Sequence, residues 1–212
     1  MTQQQRTSKD LHRRLPLIEA TKTGLAKLPG YEGIVYRGAD DVPEEFLAQH
    51  QVGAAIKYTA FTSASRDARA AFGCLYRFLI QAHGGAKDVS LLSAHKEEAE
   101  HLFPPDTCFV VLTVVPCGQA LLYLLREQPG PAAPTREEDV TVWYQLREAA
   151  RHLLREEAAL SDAELLQVKQ TWAGFRDKVE SGCSACAPDE MSPYEAAKMA
   201  WEQEQARRER AG

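Results

Sequence analysis

Short apolar runs separated by turn residues fill the first 126 positions and predict a sheet-rich region. These runs are rich in β-branched and aromatic residues, which favour strands. We predict strands at residues 34–36, 54–63, 75–82, 88–92, 108–115 and 120–126. Residues 108–115 are expected to form the most buried strand, because almost every position is apolar. Leucine and alanine also allow a helix at 120–126, but its place in a series of strands favours the strand.

Helical spacing of apolar residues occurs at two places within these 126 positions and again after them. Residues 10–28 are predicted to be helical despite Pro16, and residues 42–50 a short helix that begins near Pro43. After residue 136 nearly every position favours a helix. Three helices are expected there: one with its apolar face at Val140, Trp143, Leu146, Ala150, Leu153 and Leu154, and two that open with capping boxes at Ser161 and Ser192. The pattern predicts an α+β protein.

Changes in composition divide the chain into four parts. Residues 1–9 are expected to be a disordered leader, and residues 10–128 a β-rich domain. Residues 129–136 form a proline-rich linker, and residues 137–212 a helical extension.

Composition narrows the classes of function. The chain has 212 residues, 44% of them hydrophobic and 26% charged, with a net charge of −5. This acidic balance disfavours nucleic acid and anionic membranes as partners. The polar start has no signal-peptide pattern, so we expect a cytoplasmic protein or one exported without a cleavable signal peptide. Five scattered cysteines indicate a reducing compartment, and the lone pair Cys183 and Cys186 is interpreted as part of a loop rather than a metal site.

Three short motifs bring polar side chains to predicted strand ends. Arg37 closes the first strand and precedes Gly38, which permits a close backbone approach. Ser63-Ala64-Ser65 closes the second strand. Ser65 is expected to cap a following helix, which leaves Ser63 without a structural task.

The third motif is Glu98-Ala99-Glu100, and its conformation decides its use. An extended segment directs both carboxylates to one face, whereas a helix separates them. Local composition favours a helix, but Pro104 and Pro105 follow closely. With Arg37 and Ser63 upstream as partners, we expect the extended form.

The three motifs, in this order, resemble the arginine–serine–glutamate class of mono-ADP-ribosyltransferases, which includes bacterial toxins and vertebrate ecto-enzymes. The resemblance covers residues 11–126 and includes the Phe103-Pro104-Pro105 flank. Two positions depart from the pattern: Ala64 replaces a usual threonine, and Asp106 a usual glycine. The resemblance implies a split β-sandwich of the ADP-ribosyltransferase type.

The same resemblance implies a reaction and roles for residues. NAD would be the co-substrate, without a metal, and ADP-ribose would pass to a protein side chain. Arg37 would hold the diphosphate, and Glu100 would bind the ribose 2′-hydroxyl and stabilise the oxocarbenium-like transition state. Ser63 would hold Glu100, while Glu98 would orient and help deprotonate the acceptor.

Two further NAD contacts and the acceptor type follow from the resemblance. Gly38 would let the backbone approach NAD, and Phe72 would stack on nicotinamide, although a core position is an equal alternative for Phe72. The Glu-x-Glu pattern generally accompanies arginine acceptors, so Glu98 indicates arginine. The resemblance thus implies a bacterial effector or toxin whose partners are NAD and a target protein. NAD hydrolysis, a different acceptor and a non-catalytic interaction module remain alternatives.

Overall fold

The computed structural model describes residues 3–93, 95–128, 136–172, 183–185 and 206. The chain divides into two units, one formed by residues 1–28 and 187–212 and the other by residues 29–186. In the first unit, helix α1 (Gln3–Leu25) continues through Pro16. Residues 3–9, expected to be disordered, are therefore helical.

The second unit carries the sheet and the remaining helices. Its strands are β1 (Gly30–Ala39), β2 (Ala55–Tyr58), β3 (Thr62–Ser65), β4 (Tyr76–Asp88), β5 (Glu100–Phe103), β6 (Thr107–Cys117), β7 (Ala120–Glu127) and β8 (Cys183–Ala185). Its helices are α2 (Glu44–Gln49), α3 (Arg136–Ala158) and α4 (Asp162–Thr171), with 3-10 turns at Ala68–Ala71 and Lys96–Glu98. The predicted α+β class is confirmed.

The eight strands form one sheet in the order β1-β3-β5-β4-β7-β6-β2-β8, and β1 also pairs with β4. Strands β1, β3, β5 and β4 form one group, in which each neighbour is antiparallel. The parallel pair β4–β7 joins them to β6, β2 and β8. The three predicted motifs lie in or beside the first group.

Several strand boundaries differ from those predicted. The predicted strand at 54–63 is two strands, β2 and β3, which join different neighbours. Strand β4 continues through Gly84, because glycine accommodates the positive φ of 99° that this position adopts. Residues 89–92 form a turn closed by a hydrogen bond from Leu92 N to Val89 O (2.8 Å), not a strand.

Two hydrophobic cores cover opposite faces of β4 and β7. Phe78, Ile80, Tyr123 and Leu125 point into the first core, whereas their alternate neighbours Leu79, Leu122 and Leu124 point into the second. This alternation follows from the two-residue period of a strand. Strand β7 is therefore buried almost throughout, while β6, expected to be the most buried, has several half-exposed or exposed positions.

Helix α3 supplies the other side of the second core. Its buried stripe contains Val142, Leu146, Ala150 and Leu153, whereas Val140 is 47% exposed, contrary to the predicted face. The predicted capping box at Ser161 opens α4. The region after the linker is not purely helical, since β8 pairs with β2.

Other predictions fall outside the described residues. They are the proline-rich linker (129–135), Cys186 and the helix expected after Ser192. Within the described part of the chain, no helix is long and apolar enough to cross a membrane.

Candidate active site

A short hydrogen bond joins two of the predicted motifs. Ser65 lies opposite Glu100 in the β3–β5 ladder, and Ser63, two residues away, shares its face of the strand. The Ser63 hydroxyl donates to Glu100 Oε1 at 2.6 Å. The contact that the resemblance implied is therefore present, and it restricts the orientation of the Glu100 carboxylate.

Arg37 brings the remaining motif to the same place. Strand β1 meets β3 at the pair Tyr36 and Ser65. Arg37 is half-buried, and its Nη1 donates to the backbone oxygen of Ser63 at 2.7 Å. A guanidinium and a carboxylate thus contact the same serine, one through its carbonyl oxygen and the other through its hydroxyl.

Glu98 reaches this site in a way that the sequence did not predict. It ends the 3-10 turn Lys96–Glu98, and Ala99 then adopts the left-handed conformation (φ 46°, ψ 44°) before Glu100 opens β5. The expectation of an extended Glu98–Glu100 segment is therefore wrong. Donors at the end of β3 and directly after it stabilise the alternative, since Ser65 Oγ donates to Glu98 O (2.5 Å) and Arg66 N to Ala99 O (3.3 Å).

The electrostatic environment of Glu98 suits a proton acceptor. Partial burial raises its pKa, and the charges of Glu100 and Glu97 add to this effect, against the opposing influence of His95. A carboxylate with a raised pKa accepts a proton more readily near neutral pH. Glu97 is an exposed charge that lies beside His95, with Oε1 3.4 Å from Nδ1.

Ser65 has a role that sequence reasoning missed. Asp67, not Ser65, caps the turn Ala68–Ala71, because its carboxylate accepts from Arg69 N. Ser65 instead accepts from Asp67 N at 2.9 Å and donates to Glu98 O. The sequence did contain a signal for this role of Ser65, because a Ser-x-Ser pair in a strand directs both hydroxyls to one face, here the face of Ser63.

The structure gives Phe72 and Gly38 packing roles. Phe72 is 2% exposed and lies in the second core, which favours the core alternative over stacking on nicotinamide. A Cβ on Gly38 would lie 2.4 Å from Cys74 Sγ and 2.6 Å from Ala70 O, so glycine is needed for β1 to pack against this turn. The NAD contact of Gly38 remains a prediction.

Two histidines flank the glutamates of residues 97–100, a segment that we call the acidic stretch, and their surroundings differ. His101 is 1% exposed, its Nδ1 lies 2.9 Å from Ala99 O, and its ring packs edge-on against Tyr31. His95 is exposed. These positions agree with packing and surface roles. Among the described residues, no group of three or more His, Cys, Asp or Glu side chains could hold a metal ion.

Comparison with known proteins finds similarity to one class of enzyme. Over 119 residues, 54% of the chain, it is 40% identical to the NAD(+)–protein-arginine ADP-ribosyltransferase Tre1 of Pseudomonas putida (strain GB-1). Over 106 residues, 50% of the chain, it is 36% identical to the protein of the same name from Serratia proteamaculans (strain 568). The matched segment is thus similar to bacterial arginine ADP-ribosyltransferases, and the class inferred from the motifs is confirmed.

The likeness is partial in length. The chain spans 23% of the length of each of these two relatives. The solved ATR domain of Salmonella SpvB is 23% identical, with a TM-score of 0.48 over 52% of this chain and 70% of that one. No protein-family model matches the chain.

Proposed function

We propose that the chain transfers ADP-ribose from NAD to an arginine side chain of a target protein and releases nicotinamide. The observation that carries the proposal is the hydrogen bond between Ser63 and Glu100 beside Arg37. The named relatives, which are NAD(+)–protein-arginine ADP-ribosyltransferases, support the same activity.

Bond cleavage would depend on Arg37 and Glu100. The guanidinium of Arg37 suits the diphosphate, because its planar fork matches phosphate oxygens and keeps its charge. The bond between the ribose C1′ and nicotinamide breaks with its electron pair going to the ring nitrogen, so neutral nicotinamide leaves. Positive charge then develops at C1′, where a carboxylate held at the ribose stabilises the transition state. Ser63 would keep Glu100 in the orientation for this task.

Acceptor chemistry would depend on Glu98. The lone pair of the guanidinium nitrogen forms the new bond to C1′, and the proton that this nitrogen loses must be accepted. Glu98 has a raised pKa and lies two residues from Glu100 along the chain, so it is the candidate base. Its negative charge would also attract an incoming guanidinium.

We further propose that the target belongs to a host or competitor cell. Both curated relatives are bacterial enzymes that act on protein arginine. An effector of this kind would be exported or injected into that cell.

Substitution of the two glutamates tests the proposal. The purified protein is incubated with NAD, with and without a host-cell lysate, while nicotinamide release and arginine modification are measured separately. We expect Glu98→Gln to abolish transfer and keep slow NAD hydrolysis, and Glu100→Gln to abolish both. Glu97→Gln is the matched control, because Glu97 is an exposed carboxylate in the same turn.

Each alternative gives a different result. No nicotinamide release by the wild-type protein would favour a non-catalytic module. Nicotinamide release without any labelled protein would favour an NAD glycohydrolase. Transfer at the wild-type rate by Glu98→Gln would contradict the role given to Glu98.

A further inference from the structure

Glu157, close to the C-terminal end of α3, binds the turn that leads into β4. Its Oε1 accepts from Gly73 N at 3.2 Å and from Arg77 Nη2 at 2.9 Å, while Oε2 pairs with Arg77 Nη1. The same arginine donates from Nε to Cys74 O at 2.9 Å. The side chains of Arg77 and Glu157 are 8% and 16% exposed. This mostly buried carboxylate therefore links the C-terminal helices to the backbone of residues 73–74.

We call residues 66–74 the support turn, because site elements pack on one side of it and helices on the other. On the helical side, Trp172 at the end of α4 packs with Val168 against Ala70. On the site side, Gly38 of β1 approaches Cys74 and Ala70 so closely that a Cβ would not fit. The support turn is thus held between α3–α4 and β1.

The support turn is linked to two of the catalytic motifs, to one by the backbone and to the other by packing. It follows directly after Ser63-Ala64-Ser65, and the strand residue that packs on it, Gly38, is the neighbour of Arg37. Because this contact leaves no spare space, a shift of the support turn must move the β1 backbone at Gly38. Such a shift would displace Arg37 relative to Ser63.

We propose that Glu157 is a positioning residue for NAD: by fixing the support turn, it holds Arg37 where the diphosphate binds. The inference rests on the proposed function, since it assigns Glu157 to the same site. Its effect is expected on binding of NAD rather than on bond cleavage. The Ser63–Glu100 hydrogen bond is held within the β3–β5 ladder, whereas Gly38, the neighbour of Arg37, packs directly on the support turn.

The test replaces the buried ion pair with apolar side chains in the double variant Arg77→Met/Glu157→Leu. Such replacements are usually tolerated in folded proteins, whereas removal of one partner leaves a buried charge. Its matched control is Arg151→Met/Glu148→Leu, which removes an exposed ion pair from the same helix. We measure KM and kcat for nicotinamide release, Kd for NAD by calorimetry, and hydrogen exchange of residues 66–74.

We expect KM and Kd for NAD to rise roughly tenfold, the effect of losing about one hydrogen bond to a charged group. The change in kcat should stay below about threefold, and exchange in the support turn should be faster. The control variant should match the wild type in all of these. If the double variant folds poorly, Glu157→Gln should raise KM in the same direction.

Three results would overturn the inference: unchanged KM and Kd in a folded double variant, a fall in kcat at constant KM, or the same shift in the control. A merely structural role predicts the second of these, because partial unfolding lowers the amount of active enzyme without altering its affinity. Absence of nicotinamide release from the wild-type protein would instead refute the proposed function, and Kd and hydrogen exchange would still report on the support turn.

Discussion

Replacement of Ser63 by alanine isolates the contact on which the proposed activity depends. It removes the hydroxyl that donates the 2.6 Å hydrogen bond to Glu100 Oε1 and leaves the Glu100 side chain unchanged. A hydrogen bond to a charged group contributes about 1.5–3 kcal/mol. Both side chains are half-buried, so water can partly replace the lost hydroxyl, and the lower end of this range applies. A loss of about 1.5 kcal/mol in the transition state corresponds to a roughly tenfold lower kcat.

The assay is nicotinamide release at saturating NAD, with two matched variants. Ser63→Thr keeps the hydroxyl in a strand, where threonine is favoured, and should recover most of the rate. Ser161→Ala removes a serine that caps α4, remote in sequence from the three motifs, and should leave the rate unchanged. The free energy of unfolding from urea titration confirms that each variant folds. A folded Ser63→Ala variant with a kcat within twofold of wild type would refute the reasoning.

Three further predictions concern stability. His50 is 2% exposed and bonded to the Tyr58 hydroxyl, and burial lowers its pKa to about 4 from 6.5, so the free energy of unfolding should fall as pH drops from 6.5 through 4. Urea titrations at pH 7 and 4.5 should differ by about 2–3 kcal/mol more in wild type than in His50→Leu/Tyr58→Phe. Leu146→Ala should cost about 2–5 kcal/mol, since Leu146 is fully buried, whereas Leu166→Ala, at a position 56% exposed, should cost less than about 0.5 kcal/mol. A chain that ends at Gln128 should lose cooperative thermal unfolding, because it lacks α3 and exposes the outer face of β7; a sharp melting transition would contradict this.

The sequence predicted the strands because they depend on short-range rules, whereas the contact between Ser63 and Glu100 was implied by the family resemblance. β-Branched and aromatic residues marked β1 and β4, the place of β7 in a series of strands marked that strand, and a polar residue near a strand end marked Arg37 and Ser63. The alternation of side chains along a strand does not show whether a helix packs on its second face. The continuous apolar run of β7 therefore fitted either a buried strand or a helix, and the packing of α3 on its outer face accounts for it.

The conformation of the acidic stretch could not be predicted from its residues. Glutamate and lysine favour a helix, while the prolines that follow favour extended chain. The structure has both in sequence, a 3-10 turn and then a strand, divided at Ala99. The deciding interactions come from the end of β3 and the residue after it, since Ser65 and Arg66 donate to the carbonyl oxygens of Glu98 and Ala99. Such long-range donors are invisible to local propensity.

The change from turn to strand at Ala99 means that the two glutamate side chains are held differently. Glu100 begins a strand, pairs with Ser65 in the ladder, and has its carboxylate bonded to Ser63. Glu98 ends a three-residue turn, and the hydrogen bond that Ser65 of β3 donates to it reaches its carbonyl oxygen rather than its carboxylate. The carboxylate that would face NAD is therefore fixed on the sheet, as stabilisation of a transition state requires. The carboxylate that would meet the acceptor can adjust its rotamer to guanidinium groups presented by a folded target, whose position the enzyme does not control.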